Sequence, residues 1–267
     1  MSSFDGVAGA YRRSFATLCA GTVPTLLEVT APGELHLDVG CGTGDLALAA
    51  AREGRRVLAV DPDADMVAAT REAATLEVAA SAGSALSVEE AGAPLLPLPD
   101  RSAGAVTANF VVNHVPDPRA TVRDLARVAA PSAPIAMTIW PAAPGPHLAA
   151  FGEASRAAGA VPVPSARLVP ELDFPRSTDG LASIAREAGL QVGRAEELLW
   201  TWRVAADELM AGIAGGVGGA GRLHRAQTGA VRAEIEERVR RLWAPYVETD
   251  GALAFAVSAA LVVASRP

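Results

Sequence analysis

Residues 35–51 read LHLDVGCGTGDLALAAA, an apolar run that passes through three alternate glycines into an alanine-rich stretch. LHLDV (35–39) has strand character, and DLALAAAREG (45–54) has helical character with Gly54 as its stop. A second apolar run, RVLAV (56–60), follows at once. Strand, turn, helix and strand in that order form the unit of a parallel sheet, because parallel neighbours need a long crossover on one face. Further segments repeat the unit. MVAATREAA (66–74) reads as a helix, AVTANFVV (105–112) and IAMTIW (135–140) as strands, and ATVRDLARVAA as the helix between them. The expected fold is α/β, a doubly wound, mostly parallel sheet.

The flanks differ in texture. Phe4, Val7, Ala8, Tyr11, Phe15 and Leu18 recur at helical spacing, which predicts an opening amphipathic helix ended by Pro32-Gly33. After Trp140 comes a connector, PAAPGP (141–146), and then a proline-rich stretch over 161–175. STDGLASIAREAGL (177–190) predicts a helix capped by Ser177 or Thr178 and closed by Gly189. A strand is expected over 191–204, a helical insertion over 206–246 and a last strand over 252–264. Within the insertion, GIAGGVGGAGR holds six glycines with no Lys-Ser/Thr after them, so it reads as flexible rather than phosphate-binding. These boundaries give one domain over 1–267, with a core at 34–141, 175–205 and 250–267 and helical caps at 1–30, 142–173 and 206–246.

Composition removes several classes of function. No run reaches the roughly 20 apolar residues that span a bilayer, and Ala252–Ala264 reads as a buried strand. The stretch MSSFDGVAGAYRRSF lacks the apolar segment of a signal peptide, which predicts a cytoplasmic protein. Cys19 and Cys41 read as structural thiols, and the four histidines lack ligand spacing, so no metal centre is expected. A net charge of −7 speaks against a nucleic-acid partner. All 23 basic residues are arginine. Without lysine there is neither a Schiff base to pyridoxal phosphate nor a P-loop lysine.

Three readings compete for the glycine turn. A bare turn does not need three alternate glycines, each of which raises the entropy cost of folding. A dinucleotide site wants G-x-G-x-x-G/A, and Gly42-Thr43-Gly44-Asp45-Leu46-Ala47 satisfies those letters. Asp38 argues otherwise, standing just ahead of the glycines at a place usually apolar in dinucleotide folds. An acid there suits a guest that carries positive charge and an amino group and has no phosphate. S-adenosylmethionine (SAM) is such a guest.

LDVGCGTG resembles motif I of the class I SAM-dependent methyltransferases, which implies that Asp38, Gly40, Cys41, Gly42 and Gly44 meet the cofactor. In RVLAVDPDADMV, Asp61 ends the next strand, where a carboxylate can accept hydrogen bonds from ribose hydroxyls. DPDADMV is similar to the family's D-x-S-x-x-M-L, which implies that Pro62 and Met66 flank the adenine. PLLPLPDRSAGAVTANFVVNHVPDP (94–118) resembles the A-L-P-F-P-D-x-S-F-D-x-V stretch of the small-molecule branch, which includes quinone-biosynthesis methyltransferases. That likeness sets Asn109 beside the methionyl group and His114 at the border of the reaction centre. FDGVAGAY is similar to the opening helix of the branch, whose tyrosine, here Tyr11, covers the methionyl end; a core aromatic is the competing reading. One departure stands out. The family's Gly-Asp-Ala falls at Ala91-Gly92-Ala93, leaving Glu89, Glu90 or a carbonyl to meet the adenine amino group. The motifs cover 34–141, and FAVSAALVVASRP resembles the final, antiparallel strand of the family's seven-stranded, Rossmann-like sheet.

Methyl transfer from SAM is an in-line displacement, so the protein mainly aligns the acceptor and excludes water. An oxygen or nitrogen acceptor can also need a base. His114 is the first candidate for that base or for positioning the acceptor, against a loop-packing role; His147, just after the fifth strand, is the second, against a solvated loop histidine. His224 could act only from a lid, and His36, alternating with Leu35 and Leu37, reads as packed. Trp140, Phe151, Trp200, Trp202, Trp243 and Tyr246 are candidate pocket walls or cap-packing residues. Caps of helices, alanine and a few aromatics suit a small, partly apolar acceptor. The expected function is methyl transfer to such a metabolite, of secondary or quinone-like metabolism, giving S-adenosylhomocysteine (SAH). The expected protein is a monomer or homodimer with no nucleic-acid or membrane partner. Two alternatives remain: SAM-assisted chemistry without methylation, such as a cyclisation, and a noncatalytic SAM-binding subunit.

Overall fold

The computed structural model describes residues 7–30, 34–78, 85–164 and 168–267. Three short helices come first, α1 (Ala8–Arg13), α2 (Phe15–Cys19) and α3 (Val23–Val29), in place of the single helix expected. The break falls at Ser14, at φ −119° and ψ −96°, whose hydroxyl donates to the Ala10 carbonyl at 2.7 Å. A serine that bonds back to the preceding turn competes with the helix ladder. Phe4 and Pro32-Gly33 lie outside the described residues.

The expected βαβ unit is β1 (His36–Val39), α4 (Asp45–Arg52) and β2 (Val57–Asp61). After α5 (Ala64–Val78) comes β3 (Leu86–Glu90), a strand the sequence reading missed. It is the edge of the sheet and half exposed, so LSVEE lacks the apolar run of its buried neighbours. β4 (Ala105–Asn109) ends short of the expected Val112 because Phe110 turns to φ +58°. The order continues with α6 (Pro118–Val128), β5 (Pro134–Ile139), α7 (Pro146–Ala157), α8 (Thr178–Glu187) and β6 (Gln191–Val204). Then come α9 (Ala206–Ala214), α10 (Gly218–Arg225), α11 (Gly229–Trp243) and β7 (Leu253–Ser265). Ser177 caps α8 as expected, accepting from the Gly180 amide at 3.1 Å.

The seven strands lie in the order β3-β2-β1-β4-β5-β7-β6. β3, β2, β1, β4 and β5 pair in parallel, and β7 runs antiparallel to β5 from Pro134↔Ser265 to Ile139↔Ala260. The strand order reverses between β1 and β4, and in open α/β sheets that crevice is where ligands bind.

The chain divides into two compact units. One holds residues 22–142, 168–198 and 259–267; the other holds 1–21, 143–167 and 199–258. Thr22–Thr30, grouped with a cap by sequence, fall in the unit that carries the glycine turn, where Arg55 bonds the carbonyls of Leu27 and Thr30. The core of this unit is built on Leu37, Val106, Leu125, Ile135, Met137 and Val262, all fully buried.

The other unit packs α1, α2, α7 and α9–α11 with the ends of β6 and β7 that belong to it. Phe255 is its centre, 4.8 Å from Tyr246 and 6.0 Å from Trp202 between ring centroids. The glycine-rich stretch is largely helical here, a correction to the expected flexibility. A Cβ on Gly221 would come within 2.1 Å of the Gly216 carbonyl carbon, and one on Gly212 within 2.2 Å of Ser14 Oγ. Gly221 lets two stretches of backbone approach, and Gly212 makes room for the Ser14 side chain.

Candidate cofactor site

The turn after β1 is held from both sides. The amides of Gly40 and Cys41 donate to the Val60 carbonyl at 2.8 and 3.0 Å, which seats the turn against β2. Gly40, Gly42 and Gly44 all have positive φ, at +67°, +56° and +94°. Two positions also have no room for a side chain. A Cβ on Gly40 would meet Val111 Cγ2 at 2.5 Å, and one on Gly44 would meet Thr70 Cγ2 at 2.9 Å. Thr70 also donates its hydroxyl to the Gly42 carbonyl at 2.8 Å. Gly44 then starts α4, whose first amides are unpaired within the helix and point positive partial charge at the turn.

Two carboxylates border this turn. Asp61 accepts from the Gly42 amide at 2.9 Å through Oδ2 and from the Asp63 amide at 2.9 Å through Oδ1. Burial raises its pKa to about 6 against those two amides, which favour the charge. Asp38 accepts from the Thr107 hydroxyl through Oδ1 at 2.9 Å, while its Oδ2 is buried without a hydrogen-bond partner among the described residues. Burial raises Asp38 to about 7; the Thr107 hydroxyl opposes that rise, the Asp61 charge adds to it, and the Ala47 amide favours the charged form. Burial likewise pushes the Cys41 thiol up, so it reads as a packed thiol.

The other sequence candidates are distributed unevenly. Pro62 is exposed, and a Cβ on Gly92 would lie 3.2 Å from its ring, so the ends of β2 and β3 meet there. Met66 is 2% exposed. Glu89 and Glu90 are exposed at the end of β3. Asn109 ends β4, its Oδ1 accepting the hydroxyls of Thr22 at 2.8 Å and Thr138 at 2.6 Å. Phe110 follows at positive φ and stacks on Trp140 with 3.7 Å between centroids. His114 is exposed in the loop before α6, its amide donating to the Val111 carbonyl.

Tyr11 and His147 belong to the other unit. Tyr11 donates to Cys19 Sγ at 3.4 Å. His147 is no solvated loop residue. It lies in the first turn of α7, buried among Phe15, Trp202 and Phe255, and neither ring nitrogen has a hydrogen-bond partner among the described residues. Burial lowers its pKa to about 4. His224 is also buried there, with Nε2 3.1 Å from Glu236. Phe151, Trp202 and Trp243 are buried packing residues of this unit. Among the described residues no helix is long and apolar enough to cross a membrane, and no group of three His, Cys, Asp or Glu could hold a metal.

The methyltransferase-domain family model matches residues 37–137. The chain is 31% identical over 187 residues to a ubiquinone biosynthesis O-methyltransferase of Xanthomonas campestris pv. campestris, covering 66% of this chain and 71% of that one. The chain belongs to the class I SAM-dependent methyltransferases.

The methyltransferase spans 38% of the length of mycobacterial relatives to which it is 31% identical over 109 residues. Among solved structures it is similar to the [4+2]-cyclase SpnF, with a TM-score of 0.58, 20% identity and coverage of 96% of this chain and 84% of that one. It is also similar to geranyl diphosphate C-methyltransferase from Streptomyces coelicolor, solved with Mg2+, geranyl diphosphate and SAH. That match has a TM-score of 0.52 and 14% identity, and covers 93% of this chain and 77% of that one. At these identities the likeness shows the fold.

SAM is the cofactor of the methyltransferase, and the residues present fit it. Asp38 Oδ2 is a buried acceptor left for an ammonium donor. Val111 and Thr70 leave no room for a side chain at Gly40 and Gly44, so the turn stays bare backbone at those positions. The sequence reading missed Thr107, Thr22 and Thr138, which orient Asp38 and Asn109. Thr107 stands inside an apolar run, and only its register opposite Asp38 reveals it.

Proposed function

We propose that the methyltransferase transfers the methyl group of SAM to a small, partly apolar metabolite and releases SAH. The observation that carries this reading is the pairing of a buried, half-satisfied carboxylate, Asp38, with a turn in which Gly40 and Gly44 have no room for a side chain. When bound, SAM supplies an electrophilic methyl on a sulfonium together with the leaving group. In this reading Asp38 and the amides of the turn hold the methionyl end, and Asp61 takes the ribose. Pro62 and Met66 border the adenine, and Asn109 the methionyl group. His114 is the residue that would take the acceptor's proton.

The acceptor class is supported by the O-methyltransferase relative, named for ubiquinone biosynthesis, and by the negative charge, which disfavours nucleic acid. The reading extends to a cytoplasmic, single-domain enzyme of secondary or quinone-like metabolism. A second reading draws on the similarity to SpnF: the site could bind SAM and promote a cyclisation without consuming it.

Calorimetric titration with SAM, SAH and NAD comes first, followed by an SAH-release screen over phenolic and quinol-like acceptors. Binding of SAM and SAH without NAD, and SAH release with one acceptor, supports the proposal. Conversion of an acceptor with SAM left intact selects the cyclisation reading. Preference for NAD overturns both.

A further inference from the structure

Asp38 is the end of a chain of buried polar groups that runs from the residues before β2 across β1 and β4. Arg55, just before β2, is 5% exposed and donates to the carbonyls of Thr30 and Leu27 and to Glu53. Its Nη1 also lies 3.3 Å from Nδ1 of His36 on β1. A guanidinium has no acceptor, so the Nδ1 that faces it carries a lone pair, and the imidazole proton is on Nε2. His36 Nε2 is 3.0 Å from Thr107 Oγ1 on β4 and therefore donates to it. The Thr107 hydroxyl has one proton. It goes to Asp38 Oδ1 at 2.9 Å rather than to the Leu37 carbonyl at 3.4 Å. Every link thus points the same way, from Arg55 through His36 and Thr107 to one oxygen of Asp38. Strand geometry makes this possible: His36 and Asp38 share one face of β1, and Asp38 pairs in register with Thr107. His36 is 1% exposed, Thr107 0% and Asp38 1%, so the network is shielded from bulk solvent.

We propose that Arg55, His36 and Thr107 are positioning residues for cofactor binding: their one-way relay bonds Asp38 Oδ1 and leaves Oδ2 as the oxygen that receives the cofactor's ammonium. This rests on the proposed SAM site at the glycine turn. A buried carboxylate with no donor on Oδ1 would rotate or stay neutral, especially with Asp61 and Asp45 nearby. None of the three relay residues need touch the cofactor.

The test is a set of SAM titrations on Thr107→Val, Thr107→Ser, His36→Leu and Asp38→Ala, with melting temperatures to confirm folding. Thr107→Val keeps the branched shape and removes the hydroxyl, and its Kd is expected to rise about tenfold or more. Thr107→Ser restores the donor and most of the affinity. In the Asp38→Ala background Thr107→Val has no further effect, because it acts only through that carboxylate. Should Asp38→Ala fail to fold, the double variant His36→Leu/Thr107→Val serves instead and binds no worse than Thr107→Val alone. Wild-type affinity in Thr107→Val, or an equal loss with and without Asp38, overturns the relay. If the wild-type protein binds no SAM, the cofactor reading itself fails. The relay then still faces a ligand-free readout: imidazole nitrogen NMR shifts of His36 must show the proton on Nε2, and a proton on Nδ1 refutes it.

Discussion

Asp61 Oδ2 accepts the Gly42 amide at 2.9 Å, which ties the end of β2 to the middle of the glycine turn. Removing this carboxylate should loosen the turn and, on the proposed site, delete the acceptor for the ribose. Asp61→Ala is expected to weaken SAM binding by about 1–3 kcal/mol, read by calorimetry on a variant whose circular dichroism matches wild type. Unchanged affinity would remove Asp61 from the site.

Asp38 sits near pH 7 and Asp61 near 6 in the free protein because both are buried. A cation bound beside Asp38 requires its ionised form, so SAM binding at pH 6.5 should release protons. Affinity should rise with pH through about 7 and level off above it. Calorimetry in buffers of different ionisation enthalpy measures the release, and Asp38→Asn should reduce it.

Gly40 combines φ +67° with a neighbour, Val111, at 2.5 Å from any added Cβ. Gly40→Ala should therefore lower stability by about 1–3 kcal/mol and weaken SAM binding with it. Trimming the neighbour in Gly40→Ala/Val111→Ala should recover part of the stability but not the strain of the backbone. Denaturant unfolding of the two variants checks this.

His147 has a folded pKa of about 4 against 6.5 in an exposed chain. The unfolded state therefore binds the proton first, and this residue's contribution to stability is complete above pH 6.5 and lost as pH falls towards 4. His147→Phe keeps an aromatic ring in the cluster and removes both unpartnered nitrogens. Its melting temperature should match or exceed wild type at pH 7, with the gap widening in its favour at pH 5.

Gly221 lies within α10, where helix propensity alone would favour alanine by about 1 kcal/mol. A methyl there would meet the Gly216 backbone at 2.1 Å. Gly221→Ala should lower the melting temperature, and a rise would mean that the approach of the two segments is not fixed.

Much of this was legible because one face of each signal was redundant. The alternation of apolar runs with alanine-rich helices gave the sheet, and LDVGCGTG with Asp61 gave the turn and its two acids. β3 escaped because an edge strand needs only half an apolar pattern, and LSVEE has no more. The opening helix was overextended because periodicity does not register a serine that turns its hydroxyl back on Ala10. Glycines at 212–221 looked loose because sequence shows the missing side chain but not the neighbours that occupy its place, the Ser14 side chain at Gly212 and the Gly216 backbone at Gly221. His36 read correctly as packed, yet its role was hidden, since the partners Arg55 and Thr107 become neighbours only through strand register.

The position of β7 bears on how the protein is made. Although last of the seven in order, it fills the slot between β5 and β6. During vectorial synthesis on the ribosome, β5 therefore waits with one edge unpaired, and β6 emerges with no neighbour to join. That waiting edge carries PIAMTI, apolar enough to template a wrong partner. A pause before Leu253–Ser265 is made prolongs the time for which that edge stands open.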